Sequence, residues 1–326
     1  MLGSEAAGGS LSAQSPSDTA RVATAARRAP PAPTRRAVRP AETGFGMHVI
    51  DTAKIPWTLV SKSDRPGRVH RKLVHEGSVS PGVGYTADLV RYEGGHGTFS
   101  APRHKHNFDQ IRYVVSGSPD FGHYQVASQG QSAFFPAGAA YGPETIEEAE
   151  ILLIQWGQHW MTRAQHDETY ASMQQVGEFK DGYYVTVDAA GNEQRADSRK
   201  AIWETFNGRK LVYPTPRYPQ PVIMEPEGFE WRPVSPGVSG KVMGRFTEDD
   251  VYIGDYRWDK AGGVLTLGAE RTQLLWVADG QLTVKGVSYD RSTVIFSEFQ
   301  QTTELTGTAG ARAVVFGLPL PVSVPA

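Results

Sequence analysis

The amino-acid sequence predicts an all-β protein made of two barrels in tandem, preceded by a disordered N-terminal extension. Three observations support this expectation: short apolar runs separated by turn residues, a weak internal repeat, and an N-terminal segment poor in large apolar residues. The chain has 326 residues, of which 39% are hydrophobic and 21% are charged. A soluble chain of this length can bury one large core or two ordinary ones.

Composition excludes several classes of function. The formal net charge is -2, which gives no broad positive field for nucleic acid or an anionic membrane, so we expect neither partner. The sequence has no cysteine, which excludes disulfides and limits metal ligands to His, carboxylate, amide and phenol groups. No apolar run approaches the roughly 20 residues that span a bilayer. We therefore expect a cytoplasmic protein.

Residues 1–46 form the expected disordered extension. They are rich in Ala, Ser, Pro and Arg and contain almost no large apolar residue that could anchor a core. The scarcity of acidic residues is also typical of a transit peptide, but Pro30, Pro31 and Pro33 would interrupt an amphipathic helix. We favour a flexible extension, with Met47 as an alternative natural start.

From Met47 onward, short runs rich in Val, Ile, Tyr and Trp predict strands. Gly, Pro and Asp separate these runs at a regular spacing that is typical of a β-sandwich or barrel. Residues 161–175 are polar and free of Gly and Pro, and predict one helix packed outside the barrel or against a neighbour. The predicted strands before this helix are Val49-Ile50, Trp57 to Val60, Tyr85 to Tyr92, Ile111 to Val115, His123 to Val126, Ala133 to Phe135 and Ile151 to Trp156.

The second part of the chain repeats the pattern of the first. A repeat of this size indicates duplicated domains rather than a solenoid. We therefore predict an extension at 1–46, a first barrel at 47–160, a helix and hairpin linker at 161–205 and a second barrel at 206–326. The matching segments are Val222-Ile223 with Val49-Ile50, Trp231 with Trp57, Asp255 to Gly263 with Asp88 to Gly95, and Gln273 to Gly280 with Gln110 to Gly117.

The candidate site lies in the stretch from Ala101 to Gly117. In an extended strand alternate side chains share a face, so His104 and His106 can converge on one point while Lys105 points away. Taken alone, such a pair is more often a surface or hydrogen-bonded pair than a metal site. A second stretch, from Gly130 to Tyr141, gives the pair its context.

The two stretches together resemble the paired motifs of the cupin superfamily, whose pattern is Gly, His-x-His, Glu and Gly, followed by Gly, Pro-x-Gly and His. The usual Glu falls on Gln110, and the last His falls on Tyr141. The resemblance implies two jelly-roll barrels, a bicupin, that pairs as a homodimer. It also implies a divalent transition metal on His104, His106, Gln110 and Tyr141. The positions that match the frame are His104, His106, Gly117, Gly130, Pro136 and Gly138.

The nature of the third and fourth ligands leaves the metal and its role open. Gln110 offers only a neutral amide oxygen, and Tyr141 binds as a phenolate only if its pKa falls from about 10. Two imidazoles with weak oxygen donors suit Fe(II) first, with Mn, Cu or Ni as alternatives. In the metal-free alternative, Gln110 hydrogen-bonds a histidine and Tyr141 is an aromatic residue at the barrel mouth.

Arg112 shares the inward parity of Gln110 and is a candidate to bind a substrate carboxylate. The run from Pro102 to His106, with Arg112 and Gly117, resembles the gentisate and hydroxynaphthoate dioxygenase branch of bicupins. In that branch an arginine at this place lies near the iron and the aromatic acid, but a third histidine stands where this chain has Tyr141. The alternative for Arg112 is a salt bridge at the barrel rim.

Further candidates lie on neighbouring predicted strands. We expect His123 or Tyr124 to face inward, with His123 as a candidate acid or base and Tyr124 in substrate binding. Gln155 is a third candidate for substrate binding. In the second copy, Leu267 and Ala269 replace the two histidines, and no histidine follows His166. The sequence therefore places metal chemistry in the first barrel.

These features give three hypotheses. The first is a metal-dependent oxidoreductase, most simply a dioxygenase, that acts on a small organic or aromatic acid. The second applies if the ion is redox-inactive: the same site is then that of a lyase, isomerase or cyclase in which Tyr141 or His123 moves protons, and O₂ consumption separates it from the first. The third is a non-catalytic bicupin that binds a small ligand.

Overall fold

The computed structural model describes residues 46–60 and 66–321, which form an all-β architecture. The predicted extension falls outside these residues, apart from Gly46. The first half, residues 47–158, contains β1 (Met47–Asp51), β2 (Thr58–Leu59), β3 (Arg68–Ser80), β4 (Val83–Glu93), β5 (Phe99–Ala101), β6 (Asp109–Gly117), β7 (Ser132–Phe135), β8 (Glu144–Ile146) and β9 (Ala149–Gln158).

A connecting segment and a second half follow. The connecting segment contains α1 (Arg163–Met173), β10 (Glu178–Lys180), β11 (Tyr183–Val187), β12 (Glu193–Asp197) and α2 (Ser198–Asn207). The second half, residues 222–317, contains β13 (Val222–Met224), β14 (Arg232–Ser235), β15 (Val238–Phe246), β16 (Val251–Trp258), β17 (Val264–Leu267), β18 (Gln273–Asp279), β19 (Gln281–Val284), β20 (Val287–Asp290), β21 (Thr293–Ser297), β22 (Thr303–Gly307) and β23 (Arg312–Gly317).

Each half contributes most of one seven-stranded antiparallel sheet, and the two halves exchange a strand. The first-half sheet has the order β13-β7-β6-β9-β4-β3-β2, so its edge strand β13 comes from the second half. The second-half sheet has the order β1-β21-β18-β23-β16-β15-β14, so its edge strand β1 comes from the first half. Smaller sheets, β5-β8 and β17-β22-β19-β20, complete the two layers of each half.

The two large sheets pack against each other through a shared apolar core. Phe134 of the first half stacks on Phe246 of the second at 4.5 Å between ring centroids. Aromatic rings bury large areas, and such stacking adds to the burial itself. The exchanged strands and this core join the halves into one compact unit, and the predicted domain boundaries at 160 and 205 stay a prediction.

A repeated side-chain motif supports the predicted duplication. In the first half, the Lys72 ammonium lies 4.4 Å and the Arg91 guanidinium 4.1 Å from the ring centroid of Trp57. In the second half, the Lys241 ammonium lies 4.4 Å and the Arg257 guanidinium 4.5 Å from the ring centroid of Trp231. Each lysine also donates to a backbone carbonyl in a short 3₁₀ turn, that of Thr52 or Pro226.

Most of the predicted elements are present, with two differences. The helix predicted at 161–175 is α1, and Thr162 caps its start through a reciprocal capping box with Gln165. The strand predicted from His123 to Val126 is wrong, because positive φ angles at His123 and Tyr124 turn the chain there. In addition, the long strand β3 and the short strands β5 and β8 were not predicted. Neither helix in the described ranges is long and apolar enough to cross a membrane.

Candidate functional site

The first half contains a cavity of about 460 Å³ between its sheet layers and the helices of the connecting segment. Side chains from β3, β6, β8 and β9 form its floor and walls, and α1 and α2 lie at its mouth. Four arginines and two carboxylates line it, together with three histidines. These are Arg71, Arg112, Arg163, Arg199, Glu144, Asp167, His104, His106 and His166.

The two histidines of the sequence motif reach this cavity from the loop between β5 and β6. His104 forms a backbone bridge with Tyr141, donating from its N–H and accepting at its carbonyl at 3.0 and 2.9 Å. The His104 and His106 ring centroids lie 5.0 Å apart. Both rings line this cavity, and an irregular loop, rather than the expected strand, carries them.

Tyr141 is the centre of a buried hydrogen-bond network. Its hydroxyl oxygen accepts an N–H of Gln110 at 2.9 Å and an N–H of Arg112 at 2.9 Å. It also lies 3.0 Å from Nε2 of His106. Because Gln110 and Arg112 can only donate here, the phenol proton is directed to His106, which then carries its own proton on Nδ1. The tautomer of His106 follows from its partners.

The Tyr141 phenol keeps its proton. Burial raises its pKa above the ordinary value, and this outweighs the opposing effect of the Arg112 cation. The Gln110 amide is oriented by a second bond, since its Oε1 accepts an N–H of Gln155 at 3.1 Å. Within the network, Tyr141 therefore acts as a protonated phenol and Gln110 as an amide donor.

Arg112 is buried in the first half and forms an ion pair with Glu144. Burial opposes the charged form of Arg112, but Glu144 raises its pKa and keeps the guanidinium protonated. The guanidinium also lies 4.4 Å from the ring centroid of Phe135 and 5.0 Å from that of Phe121. Aromatic faces stabilise a desolvated cation, so the guanidinium stays charged at the floor of the cavity within its ion pair with Glu144.

His104 lies on the other side of Glu144. Its Nδ1 is 2.7 Å from the carbonyl oxygen of Pro102 and donates to it, which fixes the orientation of the ring. Nε2 is 3.9 Å from Oε2 of Glu144. The order around the floor of the cavity is therefore His104, Glu144, Arg112, Tyr141 and His106.

A second group of charges lies where α1 meets the sheet. Arg71 and Arg163 approach the same oxygen, Oδ2 of buried Asp88, at 3.5 and 3.6 Å. Burial lowers the pKa of Arg163, and the neighbouring Arg71 lowers it further. The other Asp88 oxygen, Oδ1, is buried without a hydrogen-bond partner among the described residues. Two cations thus share one carboxylate at the edge of the cavity.

Two predicted site residues do not reach the cavity. His123 and Tyr124 are exposed in the turn after Phe121, and Tyr124 is fully accessible to solvent. The expectation that one of them faces inward is therefore wrong, because it rested on a strand that is absent. Gln155 and Arg112 both line the cavity, and their role in substrate binding stays a prediction.

Glu144 is a candidate site residue that the sequence did not reveal. It is buried at the start of β8, and the pairing of β8 with β5 brings it under His104. The available signal was an acidic residue three positions after Tyr141, directly after Gly142 and Pro143. Buried carboxylates are rare unless paired, so such a residue marks a site.

The four predicted ligands do not fit a divalent ion in this arrangement. The Gln110 oxygen is taken by Gln155, and the Tyr141 hydroxyl is protonated and directed at His106. The Glu144 carboxylate is already neutralised by the Arg112 guanidinium. A divalent ion would add two charges beside this ion pair, and neither Gln110 nor Tyr141 supplies a negative charge to balance them, which is costly in a desolvated site.

A group of three side chains with the donors of a metal site lies elsewhere. Among the residues that the structure describes, His48, His75 and Glu298 are the one set of three His or acidic side chains whose ligand atoms lie within 4.8 Å of one another. They lie where the two large sheets meet, outside the first-half cavity.

No protein-family model and no curated protein matches this sequence. Solved structures do match. A proposed dioxygenase of Nostoc punctiforme aligns over 87% of this chain and 86% of its own, with a TM-score of 0.55 and 11% identity. A protein of Pseudomonas aeruginosa that is named as glyoxylate induced aligns over 86% of this chain and 92% of its own, with a TM-score of 0.52 and 12% identity. The Ylba protein of Escherichia coli aligns over 88% of this chain and 97% of its own, with a TM-score of 0.50 and 11% identity.

At these identities the likeness concerns the fold and leaves the chemistry open. The two interlocked antiparallel sheets, each closed by a smaller sheet, and the duplicated Trp motifs agree with it. The chain therefore has the bicupin fold, with its polar cavity in the first half.

Proposed function

We propose that the first-half cavity binds a small organic acid and transforms it by metal-independent acid–base chemistry, as in a lyase or isomerase. The observation that carries this proposal is the hydrogen-bonded set of Glu144, Arg112, Tyr141 and His106 at the floor of the cavity. It supplies a fixed cation and a route for a proton. Together these are what acid–base chemistry on a carboxylate substrate requires.

The charge of the lining supports an anionic substrate. The arginines outnumber the carboxylates on the cavity wall, and Arg71 and Arg163 share a single Asp88 oxygen. A substrate carboxylate between these two guanidiniums would relieve their repulsion and receive bidentate hydrogen bonds. Arg112 is held by Glu144 and Tyr141, so in this proposal it contributes its field at the floor while the mouth arginines make the direct contact.

The proton chemistry would run through His106. His106 lines the cavity, whereas Tyr141 is buried behind it, so the imidazole is the group that meets the substrate. Tyr141 acts as a positioning residue that fixes the His106 tautomer through the phenol proton. Proton transfer by a positioned histidine contributes about 10²- to 10⁴-fold to a reaction rate.

Binding is tested first, with oxalate, succinate, benzoate and 2-hydroxybenzoate as probes, by calorimetry at low salt. We expect at least one acid to bind, and Arg163→Gln to weaken it about tenfold or more. Arg257→Gln, which removes an arginine from the second half, is the matched control and leaves binding unchanged. Equal affinity of wild type and Arg163→Gln for every acid that binds, or no binding at all, contradicts the proposal.

Turnover of the bound acid is then followed with and without O₂ and with and without a chelator. We expect turnover that persists without O₂ and with the chelator, and that falls about 100-fold or more in His106→Gln while acid binding is kept. Tyr141→Phe should change the pH profile of turnover more than the affinity, because it frees the His106 tautomer.

The metal-dependent dioxygenase predicted from the sequence is the second candidate. Two observations favour it: His104, His106 and Glu144 supply the donor types of a two-histidine, one-carboxylate iron site, and one similar structure carries the name of a proposed dioxygenase. Turnover that needs O₂ and added Fe(II), Mn(II), Cu(II) or Ni(II), and is lost in His104→Ala/His106→Ala, would establish it and overturn the metal-independent proposal.

A further inference from the structure

The junction between the two large sheets contains the trio His48, His75 and Glu298. Nε2 of His48 lies 3.3 Å from Oε1 of Glu298, and a ring nitrogen of His75 lies within 4.8 Å of both residues' ligand atoms. His48 is on β1, His75 is on β3, and Glu298 directly follows β21. The trio therefore draws on both sheets.

Local backbone structure directs these side chains to one point. β1 pairs with β21 in register, with His48 opposite Phe296, which places His48 beside the end of that strand. The pairing of β3 with β4 shifts register between Leu73 and His75, and such a bulge re-aims the side chains next to it. The His75 ring then stacks on Phe296 with centroids 4.3 Å apart.

We propose that His48, His75 and Glu298 bind a divalent ion of the zinc class and so bridge the first-half and second-half sheets. Two imidazoles and a carboxylate are ligands that zinc accepts, with a fourth position left for water. This site is distinct from the organic-acid cavity, and its proposal does not depend on the activity proposed there.

The surroundings of the trio match those of metal-bound histidines. The Tyr85 hydroxyl lies 3.0 Å from Nδ1 of His75, and an outer partner of this kind fixes the orientation of a metal-bound ring.

An ion can reach the trio from solvent. The His48 side chain is 44% exposed and that of Glu298 18% exposed, whereas His75 is half-buried against Phe296. Because the ligands come from strands far apart in the sequence, the unfolded chain offers no such site. An ion that binds only the folded state stabilises it by mass action, here by joining exchanged strand β1 to the other sheet.

The test uses the full-length chain after metal removal, titrated with Zn²⁺ by calorimetry and followed by thermal unfolding. We expect one equivalent to bind and the unfolding temperature to rise by several degrees. His48→Ala and Glu298→Gln should each weaken binding about tenfold or more and remove the rise. Both positions are accessible enough for substitution without repacking the core. His96→Ala, at an exposed turn, is the matched control and should bind like wild type.

A second control separates the junction from the cavity. His104→Ala/His106→Ala should keep the full Zn²⁺ equivalent and the full rise in unfolding temperature. Loss of zinc binding in this variant would place the ion in the first-half cavity and overturn the inference. So would a wild type that binds no Zn²⁺, or trio variants that bind it with unchanged affinity.

Discussion

The two halves of the molecule share a framework and differ in their interiors. Both hold a tryptophan between a lysine and an arginine, and both place a buried aspartate on the strand that carries this arginine. In the second half, Arg312 satisfies both oxygens of Asp255. In the first half, Asp88 meets two arginines through one oxygen only. The tryptophan, lysine and arginine arrangement is therefore repeated in both halves, whereas the ion pairing of the buried aspartate is not.

The difference between the two interiors is clearest at one matched pair of positions, Arg112 in the first half and Leu275 in the second. Leu275 packs in a closed apolar cluster with Trp258 and Leu265, where Leu267 fills the place that matches His104. Arg112 instead forms part of a polar network beside a cavity. A duplicated framework can therefore keep one half as packed support while the other carries the chemistry.

The largest expected effect comes from making the first half resemble the second at this position. Arg112→Leu leaves Glu144 buried without its partner, and we expect the free energy of unfolding to fall by about 3 to 5 kcal/mol in urea titrations. The double variant Arg112→Leu/Glu144→Leu removes both charges and should recover most of this loss. A single variant as stable as wild type would contradict the view that this pair is desolvated.

A smaller but still large effect is expected in the second half. Leu275→Ala opens a void in the apolar cluster and should lower the free energy of unfolding by about 2 to 5 kcal/mol. Organic-acid binding in the first half should keep its wild-type affinity, measured under conditions where the variant is folded. Loss of binding in the folded variant would show that the two interiors are coupled rather than divided in role.

The smallest effect is expected outside both interiors. His123→Gly/Tyr124→Gly replaces two exposed residues with positive φ by the residue that tolerates this conformation best. We expect the free energy of unfolding to change by no more than about 0.5 kcal/mol and turnover to stay at the wild-type rate. A large loss of turnover would return His123 to the list of acid–base candidates.

The sequence predicts the features that local periodicity controls. Alternation along β6 places Arg112 and Gln110 on the same inner face, and the matching tryptophans reveal the duplication. The turn at His123 and Tyr124 was missed because a run of β-favouring residues conceals a left-handed backbone. Local sequence patterns indicate strand propensity, but the chain forms a turn at these two residues despite that propensity.

Features that depend on pairing between distant strands were not predictable in this way. Glu144 reaches His104 only because β8 pairs with β5. The junction trio requires the strand exchange, which no local pattern encodes, and so the metal was expected only in the first barrel. Motif spacing locates a site within one hairpin, while long-range topology decides which other groups arrive there.

The strand exchange also fixes the order in which the protein can be completed during synthesis. The first-half sheet gains its edge strand β13 only after residue 224 has left the ribosome, and β1 must wait for β21 at residues 293–297. At 5 to 20 residues per second, β1 waits roughly 10 to 50 s for its partner. Through that interval the nascent chain carries open sheet edges that invite wrong pairing. Among the strands that the structure describes, β1 is the earliest in the sequence, and yet it is enclosed only once residues 293–297 have been made.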